Sequence, residues 1–99
     1  VIRNTALRGQ EIRKVAVSGR DGGILLGAAN AAGADILITA DYKYHEFFDA
    51  QNELIIADIG HYESEQFTKE LLFDLLTENF ANFTAHLTEV NTNPINYFI

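Results

Sequence analysis

Three short runs rich in apolar residues constrain the fold of this chain more than any other feature. They span residues 14–18, 35–40 and 53–59, and each is followed directly by a glycine or an aspartate. Continuous apolar runs of this length are typical of strands that are covered on both faces of a sheet. The sequence therefore predicts three buried strands.

The segments between and after these runs predict helices. Residues 24–32 are rich in alanine and stop at Gly33, residues 42–50 form a short aromatic segment, and residues 62–79 form the longest predicted helix. In that helix the apolar residues recur at the spacing of one helix face, and we interpret this stripe as core. The stripe consists of Phe67, Leu71, Leu72, Leu75 and Leu76.

The order of these elements predicts the fold class. Residues 82–90 alternate apolar and polar side chains, which is typical of an edge strand or an antiparallel strand. Strands that alternate with helices predict an α/β layered sandwich, in which helices flank a mostly parallel or mixed four-stranded sheet. Residues 1–13 are polar and basic, and the chain contains no methionine. We therefore interpret residues 1–13 as a lead-in from a missing N-terminal region and residues 14–99 as a C-terminal lobe.

Composition excludes several classes of function. The formal net charge of −7 repels the phosphates of nucleic acid, so we expect no nucleic-acid partner. No apolar run approaches the roughly 20 residues of a transmembrane helix, and we expect no membrane partner. The chain has no cysteine, which excludes disulfides and thiolate metal ligands and makes the cytoplasm the default compartment.

Polar residues follow all three predicted strands, at the edge of a parallel sheet where ligands bind. They lie in residues 19–23, 41–45 and 58–65. The first segment has the glycines of a phosphate-binding turn but lacks the Walker lysine and dinucleotide patterns, so a tight turn is the favoured interpretation. In the second segment, His45 is equally consistent with a functional role (metal ligand, proton shuttle or substrate contact) and with a packed or exposed residue.

The third segment carries the sharpest signal. His61 and Glu65 are four residues apart, which puts both side chains on one face of a helix. An imidazole nitrogen and a carboxylate oxygen together suit Zn, Mn or Fe. The pair also fits a histidine at a helix start beside a surface acid, and two ligands are too few for a tight site. We interpret His86, on the outward face of the last predicted strand, as structural.

Four segments of the chain match a known family in order and spacing. They are Lys14–Gly19, Gly33–His45, Asp58–Glu65 and residues 91–94. Together they resemble the C-terminal lobe of the Ngg-one-interacting factor three-like family, also called GTP cyclohydrolase 1 type 2 homologues. The resemblance extends from the first segment to the tail, and the motifs that end at His45 and Glu65 carry most of its specificity.

The resemblance implies two α/β lobes that face each other across a dinuclear metal site, in subunits that assemble into a homohexamer. The family's C-terminal histidine and the glutamate four residues later map onto His61 and Glu65 as metal ligands. The remaining ligands belong to the N-terminal lobe and have no match in this chain. Asp41, Tyr44 and His45 match a family motif near the metal cleft, to which no firm role is attached.

From this resemblance we expect a fragment of a metal-dependent hydrolase, which binds two divalent metal ions per full-length subunit and acts on a small molecule such as a nucleotide. The metals would activate a bridging water, and His45 or Tyr44 would position or protonate the substrate. A metal-binding interaction or regulatory module without turnover is an open alternative. A third hypothesis is that the fragment is simply a stable α/β lobe with no activity of its own. The isolated fragment is expected to be inactive.

Overall fold

The computed structural model describes residues 1–7, 9–21 and 23–98 of the chain. Four strands lie in its N-terminal two thirds: β1 (Arg3–Asn4), β2 (Val15–Asp21), β3 (Ile36–Ala40) and β4 (Ile55–Asp58). The α-helices are α1 (Leu26–Ala31), α2 (His61–Glu65) and α3 (Thr68–Asn79), and there are 3-10 helices at Gly23–Leu25 and Tyr44–Ala50. No helix in the described ranges combines the length and the hydropathy that crossing a membrane requires.

The four strands form one mixed sheet in the order β1-β4-β3-β2. Strand β3 pairs in parallel with both β2 and β4, and β1 pairs antiparallel with β4. The three apolar runs of the sequence are therefore the three parallel strands, and the predicted α/β class with a mixed four-stranded sheet is confirmed. Because these strands are parallel, their carboxyl ends lie at the same edge of the sheet.

The identity of the fourth strand was predicted wrongly. The structure places the two-residue strand β1 at the sheet edge, whereas residues 82–90 form no strand. Strand β1 is held by backbone pairing with Ala57 and Asp58, and by hydrogen bonds between Thr5 and Ile56. A strand of two polar residues has no hydrophobic period that a sequence could reveal. Conversely, alternation in a sequence does not supply the neighbouring strand that a ladder needs.

The core lies around β3, β4 and α1. Its largest fully buried side chains are Leu37, Tyr42, Leu54 and Ile56, all exposed by 2% or less. Leu37 and Ile56 lie in strands, Leu54 directly precedes β4, and Tyr42 lies in the loop after β3. The core therefore fixes the strand ends at which the polar residues of interest begin.

The chain divides into two compact units, Val1–Ser64 and Glu65–Ile99. The first unit contains the whole sheet. In the second, α3 is followed by residues 80–98, which form no further helix or strand. The side chain of Lys69 on α3 donates a hydrogen bond of 3.1 Å to the carbonyl of Thr88, which joins this segment to the helix.

The long helix predicted over residues 62–79 is two helices, because α2 ends at Glu65 and α3 begins at Thr68. The prediction that its apolar stripe is core is also wrong for this chain. The exposed fractions of the stripe fall from 67% at Phe67 to 38% at Leu76. Apolar spacing shows that a helix has an apolar face, but it does not show which surface covers that face.

Candidate functional site

The loops that follow β3 and β4 meet at the carboxyl edge of the sheet. In the parallel register, Thr39 pairs with Asp58, the last residue of β4. Asp41 directly follows β3, and His61 begins α2 three residues after β4 ends. The topology thus brings together two of the three segments that the sequence singled out.

Asp41 and His61 are in direct contact. Oδ2 of Asp41 lies 2.5 Å from Nδ1 of His61, although the residues are 20 positions apart in sequence. A carboxylate can only accept a hydrogen bond, so the geometry identifies Nδ1 of the imidazole as the donor. Both side chains are about half exposed, at 58% and 47% respectively. The structure therefore contains a solvent-accessible carboxylate–histidine pair at the strand ends.

Asp58 connects the two loops that carry this pair. Its carboxylate is 3% exposed and accepts hydrogen bonds of 2.9 Å from the backbone amides of both Tyr42 and Gly60. Tyr42 is the neighbour of Asp41, and Gly60 is the neighbour of His61. One buried carboxylate therefore sets the separation between the backbone segments that carry the Asp41–His61 pair.

Arg3 supplies the positive charge for Asp58. Its guanidinium group donates a hydrogen bond to the Asp58 carboxylate and another, of 2.8 Å, to the carbonyl of Tyr42. The same group lies 5.4 Å from the centre of the Phe47 ring, within the range of a cation–π contact. A buried carboxylate needs such donors because burial removes its hydration. The edge strand β1 thus stabilises the loops of the site.

Gly60 permits the sharp change of direction between β4 and α2. Its φ is +91°, a value that side chains with a Cβ rarely adopt. A Cβ placed there would lie 2.1 Å from Oε2 of Glu63. The backbone conformation therefore requires the glycine, whereas the Glu63 carboxylate is the far end of a flexible side chain and can move.

His61 is the first residue and Glu65 the last residue of α2. The four-residue spacing found in the sequence is therefore one helical turn. Across residues 1–7, 9–21 and 23–98, no three side chains of His, Asp or Glu are grouped so that they could hold a metal ion. The two predicted ligands are suited to a divalent metal by their chemistry, but a complete coordination shell needs donors beyond them.

Tyr44 and His45 begin the 3-10 helix that follows β3. The Tyr44 ring packs edge to face on His45 at 5.2 Å and on Phe48 at 5.5 Å between ring centroids. Beside these rings lies a largely apolar groove of about 270 Å³. The groove is lined by Arg3, Asn4, Thr5, Tyr44, Phe47 and Phe48. The two predicted catalytic residues thus belong to an aromatic cluster, with Tyr44 on the groove wall.

The glycine-rich segment of residues 19–23 begins inside the first parallel strand, because β2 extends to Asp21 and not only to the predicted end at residue 18. Gly19 lies within β2, and Gly23 begins the first 3-10 helix. Gly22 lies outside the described residues. The structure therefore leaves the phosphate-turn interpretation untested.

Sequence reasoning missed Arg3 and Asp58 as the pair that supports the site. Asp58 carried a detectable signal, because an acidic residue that closes a buried apolar run needs a partner. Arg3 carried none, since nothing in its neighbourhood distinguishes it from the other basic residues of the first segment. The contact between Asp41 and His61 depends on the order of the strands, which the sequence alone did not specify.

The fold and this site define an α/β protein whose mixed sheet presents a carboxylate–histidine pair at its carboxyl edge. A profile of the family described as Duf34/NIF3 (NGG1p interacting factor 3) matches residues 1–94. The chain belongs to this family.

Curated relatives share the sequence over nearly its whole length. The Staphylococcus epidermidis protein named GTP cyclohydrolase 1 type 2 homolog is 36% identical over 101 residues, which cover 97% of the chain and 27% of that relative. A Campylobacter jejuni protein of the same name is 29% identical over 91 residues, which cover 90% of the chain and 35% of that relative. The chain therefore spans only about a quarter to a third of the length of these relatives.

Solved structures share the fold. The crystal structure of the Staphylococcus aureus protein SA1388 superposes with a TM-score of 0.79 at 27% identity, covering 99% of the chain and 29% of that structure. A Bacillus cereus protein related to NIF3 superposes with a TM-score of 0.76 at 29% identity, covering 99% of the chain and 28% of that structure. Both similarities extend over the sheet and the helices described above.

Proposed function

We propose that the chain is one lobe of a dinuclear-metal protein, in which His61 and Glu65 supply two of the metal ligands. The observation that carries this proposal is the contact between Asp41 and His61 at the carboxyl edge of the sheet. Histidines that bind metals commonly donate their other ring nitrogen to a carboxylate. The described residues lack a third grouped donor, so the remaining ligands of the proposed site come from the rest of the full-length protein.

The proposed activity is metal-dependent hydrolysis of a small molecule. Two divalent ions, Zn, Mn or Fe, would supply a water that is acidic enough to act as a nucleophile near neutral pH. The groove beside Tyr44 supports a small-molecule substrate, because its aromatic wall can stack a planar ring. His45, in contact with Tyr44, is proposed to position or protonate that substrate.

A nucleotide is the substrate class that we propose to test first. The aromatic lining of the groove suits a base, and the curated relatives carry the name GTP cyclohydrolase 1 type 2 homolog. We further propose a cytoplasmic homohexamer for the full-length protein, without nucleic acid or membrane as a partner. The negative net charge supports the lack of a nucleic-acid partner, and the absence of cysteine supports the compartment. The homohexamer is what the family resemblance implies.

A second candidate is a metal-binding interaction module without turnover. The family description, NGG1p interacting factor 3, favours it. The experiment that separates the two candidates is an assay of the purified full-length protein on a panel of nucleotides and phosphate esters. It should be run as isolated, after chelation, and after reloading with each of the three metals. Turnover that is lost on chelation and restored by metal supports the hydrolase, whereas full metal occupancy without turnover on any compound supports the interaction module.

A further inference from the structure

We infer that Asp41 is a positioning residue for His61, which fixes the imidazole with its proton on Nδ1 and so assigns metal binding to Nε2. The metal-binding half of this inference rests on the proposed function. The half that concerns the imidazole proton rests on the structure alone.

The contact between Asp41 and His61 identifies which ring nitrogen carries the proton. Nδ1 of His61 lies 2.5 Å from Oδ2 of Asp41, and only the imidazole can donate in this pair. Because Nδ1 is bonded to the carboxylate, we assign the metal ion to the other ring nitrogen, Nε2. A carboxylate on the opposite ring nitrogen also raises the basicity of the ligating one and restricts rotation of the ring.

The backbone conformation of Asp41 restricts which residues can occupy this position. Its φ is +55°, in the left-handed region where most residues with a side chain are disfavoured. Glycine would adopt this conformation at lower cost, but it has no group that could accept a hydrogen bond from His61. Aspartate is among the few side chains that tolerate this region, and here its carboxylate is directed at the imidazole. Aspartate therefore tolerates the positive φ and also accepts the hydrogen bond from His61, whereas glycine would meet only the first of these requirements.

The buried carboxylate of Asp58 holds the backbone on both sides of the pair. Asp58 binds the amides of Tyr42 and Gly60, the direct neighbours of Asp41 and His61. The two backbone segments are thus held in place independently of the Asp41–His61 contact. Because both side chains of that pair are about half exposed, the pair itself contributes little to folding stability. The main effect of the contact is therefore to orient the imidazole of His61.

The first test measures the ring proton directly, by long-range proton–nitrogen NMR correlations of the imidazoles in this chain at pH 8. The chain has three histidines, so His61 is assigned by His61→Gln, and His45 and His86 serve as internal references. We expect His61 in the Nδ1–H tautomer and a shift toward the Nε2–H tautomer in Asp41→Gly, which keeps the positive φ. Asp41→Asn should give an intermediate result, because its amide retains an acceptor without the charge. An unchanged His61 tautomer in both variants would overturn the inference.

The second test measures Zn²⁺ affinity of the full-length protein by competition with a chromophoric chelator. We expect Asp41→Asn and Asp41→Gly to weaken binding by about 10- to 100-fold, the usual loss when the partner of a metal-bound histidine is removed. Asp49→Asn, an exposed carboxylate on the second 3-10 helix, is the matched control and should bind as the wild type does.

The variant His61→Ala separates failure of this inference from failure of the proposed function. If His61→Ala weakens Zn²⁺ binding but both Asp41 variants do not, the positioning role is overturned and the metal site stands. If His61→Ala also leaves the affinity unchanged, the proposed metal site fails, and the metal-binding half of the inference fails with it. In that case the NMR measurement still decides whether Asp41 fixes the imidazole proton.

Discussion

Arg3, on the short edge strand β1, donates a hydrogen bond to the buried carboxylate of Asp58 at the end of β4. This contact joins the first residues of the chain to the loops that carry the candidate site. Asp58 also accepts hydrogen bonds from the amides of Tyr42 and Gly60, so the ion pair and the two loops form one unit.

Replacement of Arg3 should destabilise the fold. In Arg3→Ala the carboxylate of Asp58 keeps its two amide donors but loses its charged partner, and we expect the free energy of unfolding to fall by about 1–3 kcal/mol. Arg13→Ala is the matched control, because the Arg13–Glu11 pair is highly exposed and should contribute no more than about 0.5 kcal/mol. Urea unfolding of both variants measures the difference. Equal stability of the two would contradict the structural role of Arg3.

Gly60→Ala should also be destabilising, by about 1–3 kcal/mol, because alanine is strained at a φ of +91°. The close approach of its Cβ to the flexible Glu63 side chain should add less, since that side chain can move. Gly27→Ala gives the opposite expectation, a gain of about 0.5–1 kcal/mol, because Gly27 is exposed within α1 and its Cβ would meet nothing within 4 Å. Thermal unfolding of both variants gives the sign of each change. A stabilising Gly60→Ala would disprove the proposed turn.

The location of the core is tested by two leucines. Leu37, on β3, is 1% exposed, whereas Leu7 is 76% exposed. We expect Leu37→Ala to cost about 2–5 kcal/mol through lost burial and the cavity it leaves. Leu7→Ala should change the free energy of unfolding by no more than about 0.5 kcal/mol. Similar values for the two variants in chemical denaturation would place the core elsewhere.

The elements of the fold that could be predicted are those that the local sequence pattern identifies by itself. The three parallel strands were predictable because an apolar run such as residues 35–40 indicates a buried strand without knowledge of the neighbouring strand. The pairing of β1 with β4 was not, because Arg3 and Asn4 resemble any polar segment until β4 lies beside them. Residues 82–90 alternate without forming a strand, since alternation needs a neighbouring strand to become a ladder.

The candidate site was predictable to a similar extent. His61 was identified from its place after a strand and its spacing to Glu65, both of which are local properties. Its contact with Asp41 joins residues 20 positions apart and depends on β3 and β4 being adjacent and parallel. The exposed face of α3 was misjudged because a helical stripe reports amphipathicity and not the surface that covers it.

The chain alone should bind metal weakly. Two ligands do not close the coordination shell of a divalent ion, and the described residues contain no third grouped donor. Calorimetric titration of the chain with Zn²⁺ should therefore show no tight stoichiometric binding, whereas the full-length protein should bind tightly. Tight stoichiometric binding by the 99-residue chain would show that it contains a complete site.

We propose that His61 and Glu65 are metal ligands, and the metal content of the full-length protein tests this assignment most directly. Mass spectrometry of the purified protein should find less metal per subunit in His61→Ala and in Glu65→Ala than in the wild type. His86→Ala, an exposed histidine of the second unit, controls for the loss of a histidine as such and should keep the wild-type content. Wild-type metal content in both ligand variants would contradict the assignment.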